Sequence, residues 1–186
     1  MLPYRQGSLD ELCGLYALIN ASRLADPSLN ESECQEVFKM AFRWLYDNYE
    51  KESFLQMLCD GLFCDKLRRL HKNIFRKQWP KISLHQPFLR NMPKNANDFW
   101  ARLEENTPPA VTGTGMVIAI VGGGIDHVGG YIDHWSVVRT IDAEKIVLFD
   151  SCYEGLHPLR RDCGYEEGAA PYFIPPGCVL VLKHTK

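Results

Sequence analysis

Residues 6–18 read QGSLDELCGLYAL and place a cysteine where a polar segment gives way to an apolar helical pattern. Short polar side chains such as Ser8 and Asp10 satisfy the free backbone N–H groups at a helix start, so we expect one of them to cap a helix with Cys13 in its first turn. The dipole and the free N–H groups at a helix N-terminus stabilise a thiolate. Cys13 is therefore the candidate nucleophile of the chain.

The rest of the chain changes from helical to strand-like patterning near Pro108. Before that point, apolar residues recur at three- and four-residue spacing in a predicted helix that starts at Asn30 or Ser32 and runs to about Asn48. After it, β-branched or alternating runs bounded by Gly, Pro and Asp predict strands. These runs are residues 116–121, 134–141, 145–149 and 178–183. Helices followed by an antiparallel sheet predict an α+β fold in a single domain spanning residues 1–186.

The composition argues against several classes of function. The net charge is -2 and 46% of the residues are hydrophobic, which argues against disorder and against binding to nucleic acid or to a membrane surface. No run approaches the roughly 20 apolar residues of a membrane span, and the N-terminus has no apolar signal segment. The seven cysteines are scattered without zinc-site spacing, so we expect a cytoplasmic protein with no metal and no cofactor.

A histidine and an aspartate in the strand-rich half supply a base and its partner. His134 begins the run HWSVV, and Asp150 ends the next strand, beyond a turn near Asp142. Two antiparallel strands joined by that turn would bring the two side chains together. Asp150 would then hold one ring nitrogen of His134 while the other takes the proton of Cys13. The amide of Gln6 and the backbone N–H of Cys13 would stabilise the oxyanion formed on a substrate.

These residues carry a resemblance to a known family. In chain order, the segment QGSLDELCGLYAL, the run HWSVV and the sequence Phe149-Asp150-Ser151 resemble the papain-like cysteine peptidases, and most closely the compact bacterial group that contains the double-glycine leader peptidase domains. The resemblance implies that a helical half carrying the nucleophile packs on an antiparallel sheet carrying the base and its acidic partner. By this resemblance, Cys13, His134 and Asp150 match the catalytic triad, and Gln6 matches the oxyanion residue.

The resemblance also implies a substrate. We expect a peptidase or isopeptidase that cleaves a peptide or protein amide through an acyl-thioester, including substrates with a glycine-containing tail. Trp135 and Gly14, next to the base and the nucleophile, are the expected substrate-binding residues. His127, in the glycine-rich segment 122–130, is a rival base. The same triad would support an acyltransferase, transglutaminase-like or amidase reaction, and the same fold without turnover would be a peptide-binding module.

Overall fold

The computed structural model describes residues 3–4, 11–107, 113–121, 134–150, 158–160 and 173–185. The helices are α1 (Cys13–Ala25), α2 (Glu31–Asn48), α3 (Lys51–Asp60), α4 (Cys64–Leu70), α5 (Arg76–Gln78) and α6 (Ala96–Glu105). A π-helical turn, His71–Phe75, joins α4 to α5, and a 3-10 turn, Pro176–Cys178, precedes the last strand. The strands are β1 (Ile82–His85), β2 (Thr114–Ile120), β3 (His134–Ile141), β4 (Lys145–Leu148), β5 (Pro158–Arg160) and β6 (Val179–His184). None of these helices is both long and apolar enough to cross a membrane.

The six strands of the described residues form one antiparallel sheet in the order β1-β6-β2-β3-β4-β5. The α+β fold predicted from the sequence is therefore confirmed. The two edge strands are absent from the sequence prediction, because β1 has only four residues in a proline-punctuated segment and β5 begins with Pro158. Proline cannot donate to a strand ladder and is confined to sheet edges and strand starts, which is where β5 has it.

Helices cover both faces of the sheet. Alternate residues of β2 point to opposite faces, so Val117 packs in one core with α1 to α4, while Met116 packs in a second core with Phe99 of α6. Every residue of β2 is buried. The first core includes Cys13, since α1 contacts β2, β3 and β6. The candidate nucleophile is thus carried by the helix that packs against the centre of the sheet.

The start of α2 is as predicted. Asn30 is the N-cap residue, and its side-chain oxygen accepts a hydrogen bond from the backbone N–H of Glu33 at 3.0 Å. The Glu33 carboxylate accepts from the backbone N–H of Asn30 at 2.9 Å. This reciprocal pair satisfies two of the N–H groups that a helix start leaves without an intrahelical partner. The helix then runs to Asn48, as its apolar spacing predicts.

The N-cap position predicted for α1 at Ser8 or Asp10 is wrong, and the side chains of these two residues lie outside the described residues. The helix begins at Cys13 with Leu12 as its N-cap residue and without a side-chain cap hydrogen bond. Just upstream, the backbone N–H of Glu11 donates to a carbonyl in the last turn of α3 at 3.1 Å. A contact between distant parts of the chain therefore accompanies the start of α1. Cys13 still lies in the first turn, as predicted.

A glycine in β2 lets α1 approach the sheet. A Cβ on Gly115 would lie 2.0 Å from the carbonyl oxygen of Ala21. We expect Gly115→Ala to lower the free energy of unfolding by at least about 3 kcal/mol, because the clash is with backbone and no rotamer change relieves it. Gly177→Ala is the matched control, since a Cβ there meets nothing within 4 Å. Urea unfolding measures both variants, and equal midpoints would contradict this packing.

A buried histidine makes the stability depend on pH. His71 is 5% exposed, and its Nε2 has no hydrogen-bond partner among the described residues. Burial lowers its pKa from 6.5 to about 4. As the pH falls, the unfolded chain therefore takes up a proton at His71 at a higher pH than the folded protein does. The stability contributed by neutral His71 is present above about pH 6.5 and is lost as the pH falls toward about 4.

We expect the parent protein to lose about 2 kcal/mol of unfolding free energy at His71 between about pH 7 and pH 5. His71→Phe keeps an aromatic ring beside Phe75, with which His71 stacks at a centroid distance of 6.5 Å, but it cannot be protonated. The variant should therefore lose less stability over the same interval. Urea unfolding at the two pH values measures the difference, and an equal loss in both proteins would show that another group is responsible.

Candidate active site

An imidazole and a carboxylate on neighbouring strands form the centre of the site. His134 is the first residue of β3, and Asp150 follows β4. The backbone N–H of Phe149, which directly precedes Asp150, donates to the carbonyl of Val137 on β3 at 2.7 Å. This hydrogen bond extends the pairing of the two strands almost to Asp150. His134 Nε2 lies 2.9 Å from Oδ2 and 3.1 Å from Oδ1 of Asp150. The structure thus brings the predicted base and its predicted partner into contact.

Both members of this pair are buried. His134 is 7% exposed and Asp150 is 2% exposed. A carboxylate removed from water needs hydrogen-bond donors or a positive charge nearby. With a proton on Nε2, the ring of His134 is such a donor, and Nδ1 is then the nitrogen that is left to take a proton.

Ser136 is a third member of this cluster and was not anticipated from the sequence. It is 1% exposed, and its hydroxyl donates a hydrogen bond to Oδ2 of Asp150. Side chains two apart on a strand point to the same face, so Ser136 and His134 both reach Asp150 from β3. That alternation is the signal that could have identified it. The second hydrogen bond orients the carboxylate toward His134.

Cys13 lies at the end of α1 that favours negative charge. It is the first residue of the helix and is 3% exposed. The N-cap residue, Leu12, provides no side-chain acceptor for the first turn, and the dipole of the helix is positive at this end. The sulfur lies 3.9 Å from the carbonyl oxygen of Glu11. The structure therefore places Cys13 at the helix start, as the sequence prediction required.

Cys13 and His134 line the same cavity, which has a volume of about 320 Å³. Its other walls are the segment 60–64 between α3 and α4, the end of β2, and Cys178. The helical half and the sheet both contribute, so the candidate nucleophile and the candidate base face one space from different layers of the fold. Among the described residues, no three His, Cys, Asp or Glu side chains are grouped so that they could hold a metal ion.

The two predicted substrate-binding residues differ in position. Trp135 lines the cavity, and its indole N–H donates to the carbonyl of Leu62 at 2.6 Å, which ties β3 to the wall formed by residues 60–64. Gly14 is buried, and a Cβ there would lie 2.9 Å from Leu67 and 3.2 Å from Trp135. The absence of a side chain lets Trp135 pack against the start of α1. A contact between Gly14 and substrate stays a prediction.

Gln6 and His127 lie outside the described residues. The described residue that most closely precedes Gln6 is Tyr4, whose backbone N–H donates to Oδ1 of Asn20 at 2.8 Å and whose carbonyl accepts from Nδ2 of the same side chain at 3.0 Å. Asn20 is fully buried in α1. The chain two residues before Gln6 is therefore anchored to the helix that begins with Cys13.

No protein-family model matches this chain, and no curated protein is similar enough to count as a relative. Among solved structures, the chain is similar to a protein from Bacillus anthracis described as a "putative C39-like peptidase", with 14% sequence identity and a TM-score of 0.51. The match covers 100% of this chain and 96% of the other. At this identity the likeness is one of fold alone. The chain therefore has an α+β fold similar to that of a protein described as a C39-like peptidase, as the resemblance in its sequence implied.

Proposed function

We propose that this protein is a cysteine peptidase that cleaves a peptide or protein amide through an acyl-thioester. The observation that carries the proposal is the buried 2.9 Å contact between His134 and Asp150, at the wall of the cavity that Cys13 also lines. A thiol at a helix start, an imidazole and a carboxylate are the three groups that nucleophilic acyl transfer of this kind uses. The fold supports the same proposal, since it is similar to that of a protein described as a C39-like peptidase.

The proposed reaction has two halves. Nδ1 of His134 takes the proton of Cys13, and the thiolate adds to the substrate carbonyl while the backbone N–H of Cys13 and the amide of Gln6 stabilise the oxyanion. Breakdown of the adduct cleaves the C–N bond as His134 returns the proton to the leaving amine, which leaves a thioester. Water that has lost a proton to His134 then attacks the thioester and releases the acid and the thiol. Asp150 compensates the imidazolium in both halves.

A peptide-like electrophile that reacts with activated thiols tests this proposal. We expect it to label Cys13 much faster than the other cysteines, as located by mass spectrometry of proteolytic peptides. Cys59, which is exposed on α3, is an internal control for ordinary thiol reactivity. Equal and slow labelling of Cys13 and Cys59 would indicate a groove that binds peptides without turnover, and the proposal would then be wrong.

The residue on the acyl side of the scissile bond is proposed to be small, with glycine preferred. Trp135 stands beside His134 in the cavity wall and is held there by its hydrogen bond to Leu62. A large side chain next to the reacting carbonyl would collide with the indole ring. A glycine-containing tail, whether of a leader peptide or of a ubiquitin-like modifier, avoids that collision, so isopeptidase action is part of the proposal.

We expect kcat/KM for peptides with glycine before the cut to exceed that for leucine or arginine by at least about tenfold. Profiling with a peptide library measures this preference. Trp135→Ala removes the indole from the cavity wall. In this variant, kcat/KM for peptides with glycine before the cut should differ less from kcat/KM for peptides with leucine there. A preference of the parent protein for large apolar or basic residues would contradict the assignment of Trp135 as the limiting wall.

A further inference from the structure

Two cysteines in the cavity wall, Cys64 and Cys178, lie side by side although they are more than a hundred residues apart in the sequence. Both are half-buried free thiols that line this wall together. The Cys64 thiol also donates to the carbonyl oxygen of Gly177 at 3.3 Å, directly before Cys178. The side-chain amide of Gln86 lies 3.3 Å from that carbonyl oxygen and 4.0 Å from the Cys64 sulfur. Three distant segments of the chain thus converge on one thiol pair.

The two thiols are not equivalent. The neighbouring Cys64 thiol lowers the pKa of Cys178, against the opposing effect of burial, and the positive charge of Arg68 on α4 lowers it further. The neighbouring Cys178 thiol, together with burial, raises the pKa of Cys64. The Cys64 thiol donates a hydrogen bond to the Gly177 carbonyl oxygen at 3.3 Å, so Cys64 is the member that keeps its proton and Cys178 is the member that ionises.

We propose that Cys64 and Cys178 form a thiol-oxidation site that reacts with a low-molecular-weight disulfide and closes to an intramolecular disulfide. The Cys178 thiolate attacks one sulfur of the small disulfide and expels a thiolate, which gives a mixed disulfide on Cys178. Cys64 then loses its proton and attacks the Cys178 sulfur, which expels the second small thiolate. Two protein thiols are oxidised, and one small disulfide is reduced to two thiols.

The new bond would join the start of α4 to the 3-10 turn before β6, in the wall of the cavity that holds Cys13 and His134. This inference does not depend on the proposed peptidase activity, because neither cysteine takes part in that reaction. A disulfide that closes a loop of more than a hundred residues removes much of the conformational freedom of the unfolded chain. We therefore expect oxidation to raise Tm by on the order of 10 °C.

The test uses the full chain with Cys13→Ala, which removes a competing reactive thiol. The protein is incubated with mixtures of reduced and oxidised glutathione, free thiols are trapped with an alkylating agent, and peptides are mapped without reduction. We expect a peptide cross-linked through Cys64 and Cys178, the loss of two hydrogen atoms from the intact mass, and the rise in Tm. Adding Cys64→Ser should stop the reaction at glutathione bound to Cys178, whereas adding Cys178→Ser should leave Cys64 largely unmodified.

The peptide map of the Cys13→Ala protein decides the proposal even if a double variant does not fold. Absence of the cross-linked peptide in the most oxidising mixture would overturn it. So would cross-linking of either cysteine to a different partner, or an unchanged Tm after the cross-link has formed. Glutathione bound to Cys64 in preference to Cys178 would overturn the assigned order of attack.

Discussion

Replacing Cys13 with alanine is expected to reduce kcat/KM by at least about a thousandfold, and replacing it with serine by a similar factor. Alanine has no nucleophilic atom, and the serine hydroxyl is far less acidic than a thiol. Both variants should fold, because the side chain is small and the contact of the thiol with the Glu11 carbonyl is long, at 3.9 Å. Peptide cleavage rates and unfolding midpoints measure the two effects separately.

A second cysteine provides the matched control for this experiment. Cys59 lies in the last turn of α3 and is exposed, so Cys59→Ser should leave kcat/KM within about twofold of the parent value, as surface substitutions generally do. The outcome that would remove Cys13 from the mechanism is a folded Cys13→Ala protein that cleaves peptide at the parent rate.

The contact between His134 and Asp150 could be predicted from the sequence because it depends on the pairing of two neighbouring strands. His134 lies on β3, and Asp150 follows β4. A short turn at Asp142 joins the two strands, and the Asp142 carboxylate accepts hydrogen bonds from the backbone N–H groups of Glu144 and Lys145 at 2.9 Å. A short turn fixes the register of a hairpin, and the register decides which side chains face each other. The sequence alone therefore identified this half of the candidate site.

The cavity wall could not be predicted in the same way. Segment 60–64 reaches the site because the indole of Trp135 donates to the carbonyl of Leu62, and Cys178 reaches it from the far end of the chain. Neither position carries a local signal, since both depend on how distant elements pack. The N-cap position of α1 also differs from the prediction: Leu12 occupies it, and the neighbouring Glu11 pairs with α3, which is distant in the sequence.

Replacing His134 with alanine is expected to slow the alkylation of Cys13 at about pH 6 by at least about tenfold. The thiolate is the form of a thiol that reacts, and a protonated imidazole supported by Asp150 at 2.9 Å would stabilise it. Without the imidazole, the negative charge loses this stabilisation and keeps that of the helix start. Iodoacetamide modification of the peptide that contains Cys13, followed by mass spectrometry across a range of pH, measures the rate.

Two further variants make this result specific to the proposed pair. Asp150→Asn leaves an imidazole in place but removes the charge that supports its protonated form, so Cys13 alkylation should slow by less than in His134→Ala. His85→Ala is the matched control, because His85 is an exposed histidine at the end of β1, and it should leave the rate unchanged. Equal rates in the parent protein and His134→Ala at about pH 6 would show that this imidazole does not act on Cys13, and His127 would then be the base to examine by the same measurement.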